Sequence, residues 1–265
     1  MDIIIFGGQS NMQGQCERLT STDTVSNAFE YRFLEDEIIP LRNPVGEVIK
    51  NDHTKGKPYQ SGIDKLSVWL ANHVTGASCK GNTNLVPEFC RVYTEITGNK
   101  VLAVHIAKGS TVIAEWTPGS RGYDILFKKA TAALNKIREK ENIERIFFVW
   151  LQGESDAVEG NSKDYYKQKI VELNEALKKD IGIEKFGVIR VGRFTKDERD
   201  FEIISAQDEV CDENEDFIKL TDIATTLNEQ PEYMNPNVKG HYSALGLEKL
   251  GQEAGKAFAE LKLSL

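Results

Sequence analysis

Residues 3–14 read Ile3-Ile4-Ile5-Phe6-Gly7-Gly8-Gln9-Ser10-Asn11-Met12-Gln13-Gly14. An unbroken apolar run passes into a pair of glycines and then into a polar turn. Continuous rather than alternating hydrophobicity is expected of a strand covered on both faces, as in a parallel sheet under helices. The same signature returns at residues 101–106, 145–150, 186–191 and 217–220. Helical periodicity fills residues 86–97, 123–141, 162–180 and 244–261, and in the second of these Leu126, Ala130, Ala133, Leu134 and Ile137 form one apolar stripe. Strands alternating with helices predict an α/β fold with a mainly five-stranded parallel sheet.

Residues 16–84 carry scattered Gly, Pro, Asn and Lys with weak periodicity, and read as an elaborated loop over the sheet edge. The charge runs at 138–145, 196–202 and 212–216 adjoin periodic segments and read as solvated surface. With no internal repeat and no low-complexity linker, residues 1–265 are expected to form a single domain.

Composition narrows the function. Lys plus Arg number 33 against 41 Asp plus Glu, a net charge of -8, which argues against a nucleic-acid partner. The longest apolar run, residues 146–151, is far short of the ~20 residues a membrane-spanning helix needs, so no membrane association is expected. Cys16, Cys79, Cys90 and Cys211 have neither metal-ligand spacing nor the density of a disulfide framework. Free thiols, with no leader-like segment at the start of the sequence, favour a cytoplasmic setting. No pair of the histidines His53, His73, His105 and His241 has ligand spacing, so neither a metal nor another cofactor is expected.

Four segments carry candidate chemistry. Ser10 stands at the carboxyl edge of the first strand between glycines, where open α/β sheets bind ligands; a plain helix cap is the competing reading. The glycine spacing fits neither a phosphate loop nor a dinucleotide fingerprint, and Ser10-Asn11-Met12 breaks the lipase elbow. After the second strand, Gly109 can offer an unobstructed amide to a developing oxyanion, although an ordinary turn would look the same. The third strand gives way to Gln152-Gly153-Glu154-Ser155-Asp156, where Gln152 is a candidate oxyanion donor and Glu154 or Asp156 can orient a histidine. His241 lies in a turn-rich loop before the last helix and is a candidate base, whereas His105, within a strand, reads as a buried hydrogen-bonded side chain. Trp69, Trp116 and Tyr242 are candidates either for sugar stacking or for the core.

Together GQSNM at 8–12, KGSTVIAEW at 108–116, QGESD at 152–156 and GHYSALG at 240–246 resemble the SGNH (GDSL-like) hydrolase superfamily, in particular its sialate O-acetylesterases and acetylxylan esterases. The resemblance spans nearly the whole chain. It implies a flavodoxin-like three-layer α/β/α sandwich and hydrolysis of carbohydrate acetyl esters. By position it implies Ser10 as nucleophile, His241 as general base, and the amides of Ser10 and Gly109 with the Gln152 side chain as oxyanion hole. Two departures stand out. Val238 occupies the place where many relatives carry an aspartate three residues before the histidine, which leaves Glu154 as the expected acidic partner, then Asp156, or else a serine–histidine dyad. Ser110 follows Gly109 where relatives commonly have a second glycine. Alternatives are an esterase for another small acyl ester or thioester, and a catalytically impaired sugar-binding protein on the same fold.

Overall fold

The computed structural model describes residues 1–47 and 83–264. Seven strands form one sheet: β1 (Asp2–Gly8), β2 (Ala28–Arg32), β3 (Glu37–Pro40), β4 (Val101–Ala107), β5 (Ile146–Leu151), β6 (Lys185–Ile189) and β7 (Phe217–Thr221), in the spatial order β3-β2-β4-β1-β5-β6-β7. Neighbours are parallel except β2 with β3. The helices are α1 (Ser10–Gln13), α2 (Leu85–Thr97), α3 (Arg121–Arg138), α4 (Glu154–Glu159), α5 (Lys163–Asp180), α6 (Glu198–Glu213), α7 (Ala224–Leu227) and α8 (Ala244–Ser264). The five strands expected from the sequence are β1, β4, β5, β6 and β7; numbered among themselves they run 2-1-3-4-5, the flavodoxin-like order.

Their hydrophobicity is continuous because both faces are covered. On β5, Phe147 packs edge-on against Phe258 of α8, while its neighbour Phe148, pointing the other way, meets Phe186 and Trp150. Buried apolar side chains from Met1 to Ala259 form one contiguous cluster. Each large side chain so buried contributes about 1.5–3 kcal/mol.

The sheet is two strands wider than the apolar runs indicate. β2 and β3 lie within the span read as a loop, and β2 escapes notice because two of its buried side chains, Glu30 and Arg32, are charged and pair with each other at 2.9 Å. Residues 48–82 of that span, with His53, Trp69, His73 and Cys79, lie outside the described residues. The charge run at 196–202 is in part the start of α6: Asp197 accepts from the Arg199 amide as a helix cap, and Ile203, Ala206 and Val210 then bury.

The last helix approaches α2 unusually closely. Gly251 and Gly255, one turn apart on α8, rest on the α2 backbone, where a methyl group would collide with the carbonyl oxygens of Leu85 and Phe89 respectively. Asn84 caps α2 by accepting from the Val86 amide and also donates from Nδ2 to the Met12 carbonyl at 2.7 Å. No described helix is long and apolar enough to cross a membrane.

Candidate active site

The carboxyl ends of β1, β4 and β5 deliver residues 9–14, 108–116 and 152–156 to one edge of the sheet. Chain order reverses between β1 and β5, and a crevice at such a switch point is where open α/β sheets take ligands.

Ser10 opens the single turn of α1, so its amide has no acceptor within the helix. Gly8 precedes it at φ 153°, and a side chain there would strike the Leu151 carbonyl, which fixes the turn close against β5. The Gln9 side chain accepts from the amides of Gly153 and Ser155, at 3.3 and 3.1 Å, tying the first segment to the third.

Asn11 makes the decisive connection. Its Nδ2 donates to Glu154 Oε1 at 2.7 Å, and its Oδ1 accepts from the Tyr242 amide at 3.2 Å. The immediate neighbour of Ser10 is therefore bonded to the immediate neighbour of His241. Two further bonds hold the histidine loop in place: Asn235 Nδ2 donates to the Gln15 carbonyl at 3.2 Å, and the Ala244 amide to Glu17 Oε2 at 3.0 Å.

His241 Nδ1 lies 3.1 Å from the Lys239 carbonyl. A carbonyl only accepts, so the proton sits on Nδ1 and Nε2 keeps its lone pair, the tautomer a general base requires. Burial pushes the imidazole below its ordinary value, against the opposing effect of the Lys239 contact, and Phe194 packs edge-on against the ring at 6.0 Å.

Three candidate side chains have the following partners in the structure. Glu154 is buried and bonded to Asn11 rather than His241, and its Oε2 has no hydrogen-bond partner among the described residues; burial pushes this carboxyl up. Asp156 is occupied structurally, accepting at Oδ2 from the Ile113 amide at 2.9 Å and from Gln152, and at Oδ1 from Asn161 at 2.7 Å. Gln152 commits both Nε2 hydrogens, to the Thr111 carbonyl at 2.9 Å and to Asp156, while its Oε1 accepts from the Tyr166 hydroxyl at 3.1 Å. It joins the second segment to the third. Trp116 and Tyr242 are core side chains, Trp116 crossing Trp150 edge-on at 5.4 Å. His105 is buried as expected, with Nε2 2.8 Å from the Met12 carbonyl.

Gly109 follows the carboxyl end of β4, close to the Ser10 side chain. Its amide donates to Gln13 Oε1 at 3.0 Å, and that oxygen also accepts from Gln15 Nε2 at 2.9 Å. A methyl group on Gly109 would sit 3.4 Å from Ser10 Cβ, so a carbonyl oxygen is already held by this amide beside the serine. Ser110 adopts φ 62°, the left-handed conformation that a glycine enters without strain. Gln9, Asn11 and the Lys239 carbonyl escape sequence reading. Asn11 stood inside the first motif, but its partners come from segments distant in the chain.

The sheet thus runs in flavodoxin order, with a serine turn, a glycine amide and a histidine loop gathered at its carboxyl edge. Residues 1–260 match the family described as "Carbohydrate esterase, sialic acid-specific acetylesterase", and the chain belongs to that family of carboxylic ester hydrolases. No curated protein sequence is significantly similar to the chain. Among solved structures, an Arabidopsis thaliana protein is similar at 15% identity and a TM-score of 0.63, covering 98% of each chain. NanS is similar at 13% identity and 0.64, over 99% of this chain and 96% of the other. A carbohydrate acetylesterase from Xanthomonas citri is similar at 12% identity and 0.60, over 100% of this chain and 57% of the other. At such identities the likeness is one of fold.

Proposed function

We propose that the protein, acting as one domain, removes acetyl groups from a carbohydrate by a serine–histidine mechanism. The observation that supports this reading is the Asn11 carboxamide, by which the turn of Ser10 is bonded to Glu154 at one end and to the loop of His241 at the other. Ser10 Oγ attacks the acetyl carbonyl as His241 Nε2 takes its proton. The amides of Ser10 and Gly109 receive the charge that develops on the carbonyl oxygen, with the substrate displacing the Gln13 oxygen from Gly109. Collapse of the tetrahedral intermediate passes the proton from His241 to the departing sugar hydroxyl. Water, deprotonated by the same imidazole, then releases acetate from the acyl-serine.

In this reading the Lys239 carbonyl orients His241, so Val238 in the place of an aspartate does not disable the site. Glu154 acts through Asn11 as a positioning residue. The family description favours a sialate-type over a xylan-type substrate. Purified protein assayed with p-nitrophenyl acetate should turn over, and Ser10→Ala and His241→Ala should each lose about a thousandfold or more. A folded wild type without turnover on p-nitrophenyl acetate and on acetylated sugars would leave only the sugar-binding reading.

A further inference from the structure

Gln13 closes the single turn that Ser10 opens, and side chains three residues apart on a helix are neighbours. The backbone of that turn is held firmly. The Gln13 amide donates to the Gln9 carbonyl at 2.7 Å, and Gly14 follows at φ 88° with its amide on the Ser10 carbonyl at 3.1 Å. Gln13 is only 6% exposed, a degree of burial at which a carboxamide needs a partner for its polar end.

Its partner is the group that the proposed reaction calls on. Gln13 Oε1 accepts from the Gly109 amide at 3.0 Å and from Gln15 Nε2 at 2.9 Å, so a neutral carbonyl oxygen is held between two donors. The point that a Gly109 methyl would occupy lies 3.1 Å from this oxygen and 3.4 Å from Ser10 Cβ, which puts both beside the same amide. An acetyl ester would bring the same kind of atom, a planar carbonyl oxygen, to a donor next to Ser10. The hydrogen of the Gly109 amide can point well at only one of the two.

We propose that Gln13 is a built-in inhibitor, its side-chain carbonyl occupying the Gly109 amide in the resting protein and competing there with the acyl group of the substrate. The proposal rests on the esterase reading above, with Gly109 as an oxyanion donor. Gln15, donating to the same oxygen, keeps the carboxamide in place. The bond to Gly109 breaks before an acyl group can use that amide, whatever alcohol the ester carries. Competition therefore slows every ester by one factor, unlike a residue that grips a particular sugar. Its sign is equally distinctive: removing a competitor speeds the reaction, whereas removing a support for Gly109 slows it.

The test compares wild type, Gln13→Met and Gln13→Glu on p-nitrophenyl acetate and on an acetylated sugar, with a cooperative melt confirming that each is folded. Methionine keeps the length of the side chain but carries no oxygen, so kcat/KM should rise by about threefold to tenfold, the net strength of one hydrogen bond, and by the same factor on both esters. Glutamate sets an ionised and stronger acceptor against the amide, and kcat/KM should fall below wild type by at least a similar factor. Labelling of Ser10 by diethyl p-nitrophenyl phosphate, followed by intact mass, should rank the three proteins in the same order, because its phosphoryl oxygen needs the same donor. Gln13→Ala, which removes the oxygen without filling its place, should gain in the same sense and serves if the methionine variant does not fold. Folded variants lacking the oxygen whose kcat/KM is unchanged or lower, or raised on one ester alone, would overturn the proposal while wild-type turnover upholds the esterase reading. Turnover and labelling absent from every protein would overturn both.

Discussion

Asn11 commits both ends of its carboxamide to segments far away in the chain, so its removal should disturb geometry more than stability. Asn11→Ala leaves Glu154 and the Tyr242 amide unpaired, a loss of about 1–3 kcal/mol measurable by denaturant unfolding. The accompanying shift of the histidine loop should lower kcat by about a hundredfold, the scale of a misplacement near 1 Å. Glu154→Gln keeps an acceptor oxygen toward Asn11 and should cost less than about tenfold in kcat, with the pH profile unmoved. The proposed mechanism needs neutral His241, whose burial lowers its proton affinity; kcat/KM should therefore hold to lower pH than an ordinary imidazole allows, with an acid limb below 6.5. A limb that moved in Glu154→Gln would return the carboxylate to the role of histidine partner. Ser10, Gly109 and His241 were legible as candidates because each depends on its own turn. The partners of Gln152, Glu154 and Asp156 were not legible, because a polar side chain's partner is chosen by neighbours that the linear sequence does not display.

Among the elements, the well-read ones are those whose burial is mainly apolar. β1, β4 and β5 announce themselves by composition; β2 does not, since Glu30 and Arg32 are buried within it. α6 begins among charges, and its signal was the cap at Asp197 with acidic residues in the first turn rather than an apolar stripe. Charge is also buried between elements: Lys129 of α3 reaches Glu47 at 2.6 Å with both side chains essentially inaccessible, and Glu47 in turn accepts from the amides of Phe33 and Leu34. Lys129→Met strands that carboxylate and should destabilise the protein by about 3–5 kcal/mol in denaturant unfolding. A loss under about 1 kcal/mol would mean that the pair is replaceable by packing.

For the molecule as a whole, buried histidine sets a sensitivity to acid. His105 is neutral in the fold, its proton affinity pushed down by burial to about 3 from an ordinary 6.5. The unfolded chain protonates first, so this contribution is intact above pH 6.5 and is lost progressively as pH falls toward about 3. The slope from this residue reaches about 1.4 kcal/mol per pH unit, and His105→Gln should flatten the melting temperature across that window. His241 acts in the same sense. At this scale the fold class was legible almost entirely, because burial on both faces of the sheet writes itself into runs of the sequence. The seating of α8 on α2 was not, although both helices adjoin the site: Asn84, the cap of α2, holds the Met12 carbonyl, and α8 begins just beyond His241. Gly251 and Gly255 thus set the seat of a joint between the helices that follow the two segments. Mutational drift that spares every reacting atom is still visible to selection at these two positions, and attempts to stabilise the last helix with alanine will meet their limit there.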